Sequence, residues 1–437
     1  MNMQRYELPI KKPIFANLQA MAVVPNGHDT AAGHYNERQM KISERITGMA
    51  SSPIRKLTPL ADKAKAKGIR IYHLNIGQPD IKTPAKGLES LRHIDRTVLE
   101  YSPSQGFLSL RRKISEYYAG YGMDYSPEDI TVTTGASEAV LFAFLTCMDP
   151  GDELITTEPT YANYLAFADV AGVKVKTLKT HIENDFALPE VEHFEELITD
   201  RTKAILICNP NNPSGTLYGR KEMKMLADIV HRHGLYLFSD EVYREFVYDG
   251  QEYFSAGHFP EIAENTVLID SFSKRYSECG IRVGALITKN KAITQGVLKL
   301  CQARLSPPLL GQIVAEASCG EDSSYLENVI GEYDKRRKVL IRELSAIPGV
   351  KVSTPHGAFY AMAALPVDDA EKFCSWCLSD FSYEGESVMM APANGFYITP
   401  GLGVNQVRMA YVLKSEDLQR AAFLLGKALE QYPGRIL

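Results

Sequence analysis

The chain is poor in cysteine, has no long hydrophobic run and carries no surplus of basic charge. Seven cysteines in 437 residues are few, and odd in number, for a disulfide framework. A reducing compartment is expected, with the cytoplasm as the default. No apolar run nears the roughly 20 residues that span a bilayer. The opening MNMQRYELPIKKPIFANLQAM has no continuous apolar stretch behind a basic start, so it does not read as a secretion signal. Lys and Arg number 48 against 53 Asp and Glu, a net charge of -5. That balance gives no electrostatic reason to expect nucleic acid or an anionic membrane as partner. No internal repeat or low-complexity tract is visible. The pair Cys374 and Cys377 in CSWC has redox-motif spacing, but DDAEKFCSWCLSDF reads as an amphipathic helix that turns Phe373, Trp376, Cys377 and Phe381 to a core.

What remains is an ordinary globular composition, 45% hydrophobic and 23% charged, on a chain long enough for one large core and a smaller one. Residues 1–39 show no sustained period and read as an N-terminal extension, with Met40 as a second candidate start; an arm that grips a partner subunit is the competing view. From about residue 100, β-rich runs alternate with helical ones: DITVT, ELITT, VKVKTL, KAILIC, LYLF, TVLID and VGALIT are separated by stretches such as GRKEMKMLADIVHRHG, where Met223, Leu226, Ile229 and Val230 recur at helical spacing and Gly234 ends the helix. This alternation predicts an α/β fold, with a mostly parallel sheet and helices on both faces, over residues 86–320. After about residue 320 the pattern becomes α+β, which predicts a smaller domain over 321–437, with residues 40–85 packing beside it.

In open α/β sheets, ligands bind beyond the carboxyl ends of the strands. Four predicted strand ends carry small or functional groups: Gly135, Ala136 and Ser137 after DITVT; the turn NPNNPSG with Asn212 after AILIC; Asp240 and Tyr243 after LYLF; and Ser271 and Lys274 after TVLID. A helix start such as Ala136–Ser137 suits a phosphate. Ser271 and Arg282 would add a hydroxyl and a guanidinium to the same anion. Asp240, at the end of a buried strand, needs a cationic partner, and a protonated ring nitrogen fits. An N-cap or a buried ion pair is the plainer explanation of Asp240, a turn residue that of Asn212, and a core aromatic that of Tyr243.

The ordered set NPNNPSG, SDEVY and SFSK followed by Arg282 resembles the aspartate aminotransferase superfamily, the class I/II, fold type I enzymes that use pyridoxal 5′-phosphate. The resemblance runs from about residue 50 to the C-terminus. It implies that Lys274 holds the cofactor covalently and acts as general base, and that Asp240 pairs with its ring nitrogen. Asn212 and Tyr243 would hold the ring oxygen, and Tyr161, in EPTYANY, would stack on the ring. Gly135, Ala136, Ser137, Ser271 and Arg282 would hold the phosphate, with Tyr101 reaching it from the neighbouring subunit of a homodimer. Arg408, in QVRMAYV, would clamp the substrate's α-carboxylate beside Asn212, and Gly77, in LNIGQPD, would line the substrate pocket. Read without the resemblance, Arg408 is a strand residue facing water.

The implied reaction moves an amino group from an L-amino acid to a 2-oxo acid. An acidic donor, aspartate with 2-oxoglutarate, is favoured; aromatic and alanine transaminases and C–S lyases are the alternatives. No metal is implied. Some aspartate-using members carry lysine where this chain has Ser137, and others bring in an arginine just before the proline pair that is here Pro307-Pro308. Arg304 lies on that segment, so it is expected either to meet a dicarboxylate side chain or to sit at the dimer interface.

Overall fold

Nearly all-apolar runs fold as strands covered on both sides. The computed structural model describes residues 41–50 and 52–436; the extension expected over residues 1–39 and the candidate start at Met40 lie outside them. In chain order the strands are β1 (Arg70–His73), β2 (Ile130–Thr133), β3 (Glu153–Glu158), β4 (Lys174–Lys179), β5 (Thr202–Cys208), β6 (Tyr236–Asp240), β7 (Thr266–Ser271), β8 (Gly284–Ile287), β9 (Lys351–Val352), β10 (Tyr360–Ala364), β11 (Glu386–Met389), β12 (Ala391–Pro392) and β13 (Gln406–Ala410).

Seven strands form one sheet in the order β2-β8-β7-β6-β5-β3-β4. From β7 through β4 every pairing is parallel, while β8 runs antiparallel to both neighbours. Alternate residues of β5 enter different cores. Leu206 packs with Val140 and Phe144 of the helix Ala136–Cys147. Ile205 and Ile207 pack with Met223, Leu226 and Val230 of the helix Arg220–His233. The period-two alternation of side chains thus puts a helical layer on each face. The second helix has sharp ends. The Glu222 carboxylate accepts from the Gly219 N–H at 3.0 Å, and Gly234 closes it at φ 61, a left-handed angle that glycine adopts without a Cβ penalty.

Some runs behave differently from their sequence pattern. PEVEHFEELI yields only the short helix Val191–Glu195. VGALIT is the antiparallel member of the large sheet, and SVMMAP is divided between β11 and β12. The CSWC segment, by contrast, is the expected amphipathic helix, Ala370–Ser379, with Phe373, Cys374 and Cys377 buried. Burial pushes both thiols up, so neither is a reactive thiolate.

Two smaller sheets complete the chain. β12-β13-β10-β9 is antiparallel, and β1 pairs in parallel with β11. The β1 pairing anchors the segment before residue 85 to the C-terminal third. One apolar cluster runs from Phe144 and Leu206 through Phe359 to Leu418 and Leu425, and from Arg45 onward the chain forms one compact unit. No helix among the described residues is long and apolar enough to cross a membrane.

Candidate active site

The carboxyl ends of β2, β5, β6 and β7 share one edge of the large sheet. Because β8 is antiparallel, its amino end reaches that same edge, where Gly284 pairs with both Thr133 and Ser271. This is why Arg282, two residues before β8, belongs to the site. A cavity of about 690 Å³ opens there. It is lined by Ala136 and Ser137 after β2, Asn212 after β5, Asp240 and Tyr243 at β6, Ser271 and Lys274 at β7, and Arg282. Gly77, Tyr161 and Arg408 complete the set. Gly135 supports the wall from behind. It stands at φ +73, and a Cβ there would lie 2.4 Å from Arg282 Nη2. Tyr101 is not on the cavity wall of its own chain; it is 77% exposed.

Asp240 is the energetic centre. It is 5% exposed, and among the described residues no salt bridge reaches it. Its oxygens accept from the Tyr164 hydroxyl and, at 3.3 Å, from the Val242 N–H. Burial pushes its carboxyl up to about 6; the two hydrogen bonds offset part of this, while Asp270 and Glu241 add to it. A carboxylate left in this state lacks a cation. Asp270 shows the contrast one strand away. Burial raises its carboxyl too, but Arg275 and Arg244 outweigh burial and hold it below the ordinary value. The Asp270–Arg275 pair pins the turn from β7 into the helix Phe272–Arg275, which carries Lys274.

Lys274 Nζ donates to the Gly77 carbonyl at 2.9 Å and lies 5.8 and 5.7 Å from the ring centres of Tyr243 and Phe359. The Ser271 hydroxyl accepts from the Ser273 N–H at 3.1 Å and so caps this turn. Tyr243 shares a hydrogen bond of 2.9 Å with Tyr360. A Cβ on Gly77 would sit 1.9 Å from the Tyr360 hydroxyl, so only glycine fits against it.

Arg408 corrects its solvent-facing reading. It occupies β13, flanked by β12 and β10, and is 1% exposed. Its guanidinium donates to Asn212 Oδ1 at 3.0 Å and to the Asn75 carbonyl at 2.6 Å. It also lies 4.5 Å from the ring centre of Tyr360. Arg304, by contrast, is not on the cavity wall. It pairs with Glu138 at 2.5 Å and donates to the Ser104 carbonyl at 3.0 Å. Glu138 in turn accepts from the Thr134 N–H at 2.7 Å, so Arg304 braces the amino end of the helix Ala136–Cys147.

Sequence reasoning missed Tyr164, Tyr360 and Arg55. Tyr164 had a signal, since it follows Tyr161 by three positions on one helical face. Tyr360 and Arg55 had none, because distant segments bring them to the wall.

The residues fit pyridoxal 5′-phosphate. A buried carboxylate without a cation suits its ring nitrogen, an amine suits its aldehyde, and a helix amino end beside Ser271 and Arg282 suits its phosphate. Comparisons with known proteins give the family. The family described as "Aminotransferase class I and II" matches residues 69–423. An aspartate aminotransferase of Pyrococcus horikoshii is 32% identical over 90% of this chain and 98% of its own. A (5-formylfuran-3-yl)methyl phosphate transaminase of Methanocaldococcus jannaschii is 32% identical over 86% of this chain and 96% of its own. The solved structure of an alanine aminotransferase from Pyrococcus furiosus superposes with a TM-score of 0.82 at 27% identity, covering 90% of this chain and all of that one.

Proposed function

Because the chain belongs to the class I and II aminotransferases, a family of fold type I pyridoxal-phosphate enzymes, we propose that this transaminase moves the amino group of aspartate to 2-oxoglutarate. The observation that carries the reading is Asp240, buried without a cation in the cavity that Lys274 also lines. The acidic donor is supported by a fourth cation on the cavity wall, Arg55, beyond the Lys274, Arg282 and Arg408 that every amino donor would need.

Pyridoxal 5′-phosphate, when bound, supplies an electron-poor ring that takes up the electron pair left at the substrate's α-carbon. Lys274 would hold it through Nζ, Asp240 would keep its ring nitrogen protonated, and Asn212 and Tyr243 would donate to its ring oxygen. Tyr161 would flank the ring, while Gly135, Ala136, Ser137, Ser271 and Arg282 would take the phosphate.

Arg408 would receive the α-carboxylate, its guanidinium already aimed by Asn212 and Asn75. That anchorage fixes which α-carbon bond stands toward Lys274. Released from covalent duty, Lys274 Nζ would take the α-proton of the donor and, in the reverse half-reaction, supply the α-proton of the new amino acid. The Gly77 carbonyl and the Tyr243 and Phe359 rings bound the space through which this amine moves.

A donor panel against 2-oxoglutarate, read by oxo-acid formation, tests the proposal. Aspartate is expected to give the highest kcat/KM, above alanine and the aromatic amino acids. Preference for alanine or an aromatic donor would remove the acidic assignment, and an absence of transfer from every donor would remove the activity.

A further inference from the structure

Three of the four cations on the cavity wall have roles in the proposed transamination: Lys274 as covalent anchor and base, Arg282 at the phosphate, and Arg408 at the α-carboxylate. Arg55 has none. It lies in the segment SPIRKL, ahead of the helix Thr58–Ala66. Its backbone is held, since its N–H donates to Ser52 at 3.2 Å and its carbonyl accepts from Thr58 at 2.9 Å. Its neighbours Ser52 and Ile54 line the same wall.

The guanidinium forms no salt bridge with any described residue, and Arg55 lines the cavity while remaining exposed. Its charge is nonetheless felt inside. Burial pushes the Tyr161 hydroxyl up to about 12, and Arg408 and Arg55 both pull against that rise. Arg55 and Arg408 therefore act on one aromatic ring in the same cavity. The other candidates for a second anion seat are accounted for: Ser137 is uncharged, and Arg304 is engaged by Glu138 and Ser104.

We propose that Arg55 is the receptor for the second carboxylate of a dicarboxylic substrate, supplied by the same chain that supplies Arg408. The planar fork of a guanidinium matches a carboxylate in two hydrogen bonds. One such seat serves both half-reactions, because the acidic donor and the 2-oxo diacid acceptor each present a distal carboxylate. The inference rests on the transaminase reading and names the residue that sets its substrate class.

Succinate has two carboxylates and no amino group, so its binding reads this seat without turnover; propionate is the single-carboxylate control. In the cofactor-loaded enzyme, Arg55→Gln is expected to weaken succinate binding roughly ten- to hundredfold and to shift propionate far less. Arg55→Lys is expected to recover part of the loss. The kcat/KM ratio of aspartate to alanine should fall in parallel, chiefly through KM. An unchanged succinate Kd in Arg55→Gln overturns the inference, as does a wild type that binds succinate no better than propionate. If no donor is turned over while succinate binding still depends on Arg55, the transaminase reading fails and the carboxylate seat stands.

Discussion

At the scale of single residues, Asp240 and Asp270 show how partners decide what a buried carboxyl does. They stand on adjacent strands and are both buried. Asp270 has two arginines and stays ionised; Asp240 has none and is raised to about 6. A folded-state value above the ordinary 3.8 means that the fold favours the protonated form. In the cofactor-free protein this contribution is fully present below pH 3.8 and is lost as pH rises through 6. Asp240→Asn is expected to remove that slope, leaving the variant more stable than the wild type near neutral pH by about 3 kcal/mol. Denaturant melts at pH 4 and pH 7 check it, and a wild-type slope that persists in the variant contradicts the assignment. The same substitution should slow transamination roughly a hundredfold or more, which is the mark of a group kept for function at the expense of stability.

At the scale of elements, much of the site was legible because its parts are local. An apolar run followed at once by Asp240 or by Ser271 and Lys274 marks a strand end in any open α/β sheet. Arg282 was reached by motif spacing; its physical reason is the antiparallel direction of β8, which no periodicity reveals. Arg408 was the hardest. Taken alone, QVRMAYV is a strand with one polar residue, and only the flanking β10 and β12 show that this residue is enclosed. Tyr360 and Arg55 were illegible for a related reason: segments far apart in sequence bring them to the cavity wall. The helix Ala136–Cys147 is where local geometry is most exacting. Gly135→Ala adds a Cβ at φ +73 that meets the Arg282 guanidinium, so it is expected to weaken cofactor affinity at least tenfold, by roughly 1.4 kcal/mol or more. Equilibrium titration of the cofactor-free protein checks this, and wild-type affinity would show that the two groups do not share an anion.

At the scale of the whole molecule, the unit from Arg45 onward is built so that sheets of different topology close on one cavity. The large sheet contributes the proposed cofactor groups and the β10–β13 sheet contributes Arg408, while the segment after β1 contributes Asn75 and Gly77, whose carbonyls receive Arg408 and Lys274. We propose that the enzyme works as a homodimer in which Tyr101, exposed on its own chain, completes the partner's phosphate site. Mixing Tyr101→Ala chains with Lys274→Ala chains should then create hybrid dimers in which one of the two sites carries neither change. Activity above that of either parent is expected, and activity no higher than the sum of the two would contradict a shared site.

The proposed site turns on one amine: Lys274 would hold the cofactor aldehyde within reach of Asp240. Its most direct test is borohydride reduction of the cofactor-loaded protein, followed by peptide mass analysis. A stable phosphopyridoxyl adduct is expected on Lys274, within the peptide containing SFSK, and none in Lys274→Ala. An adduct on a different lysine, or none from a protein saturated with pyridoxal 5′-phosphate, would contradict it.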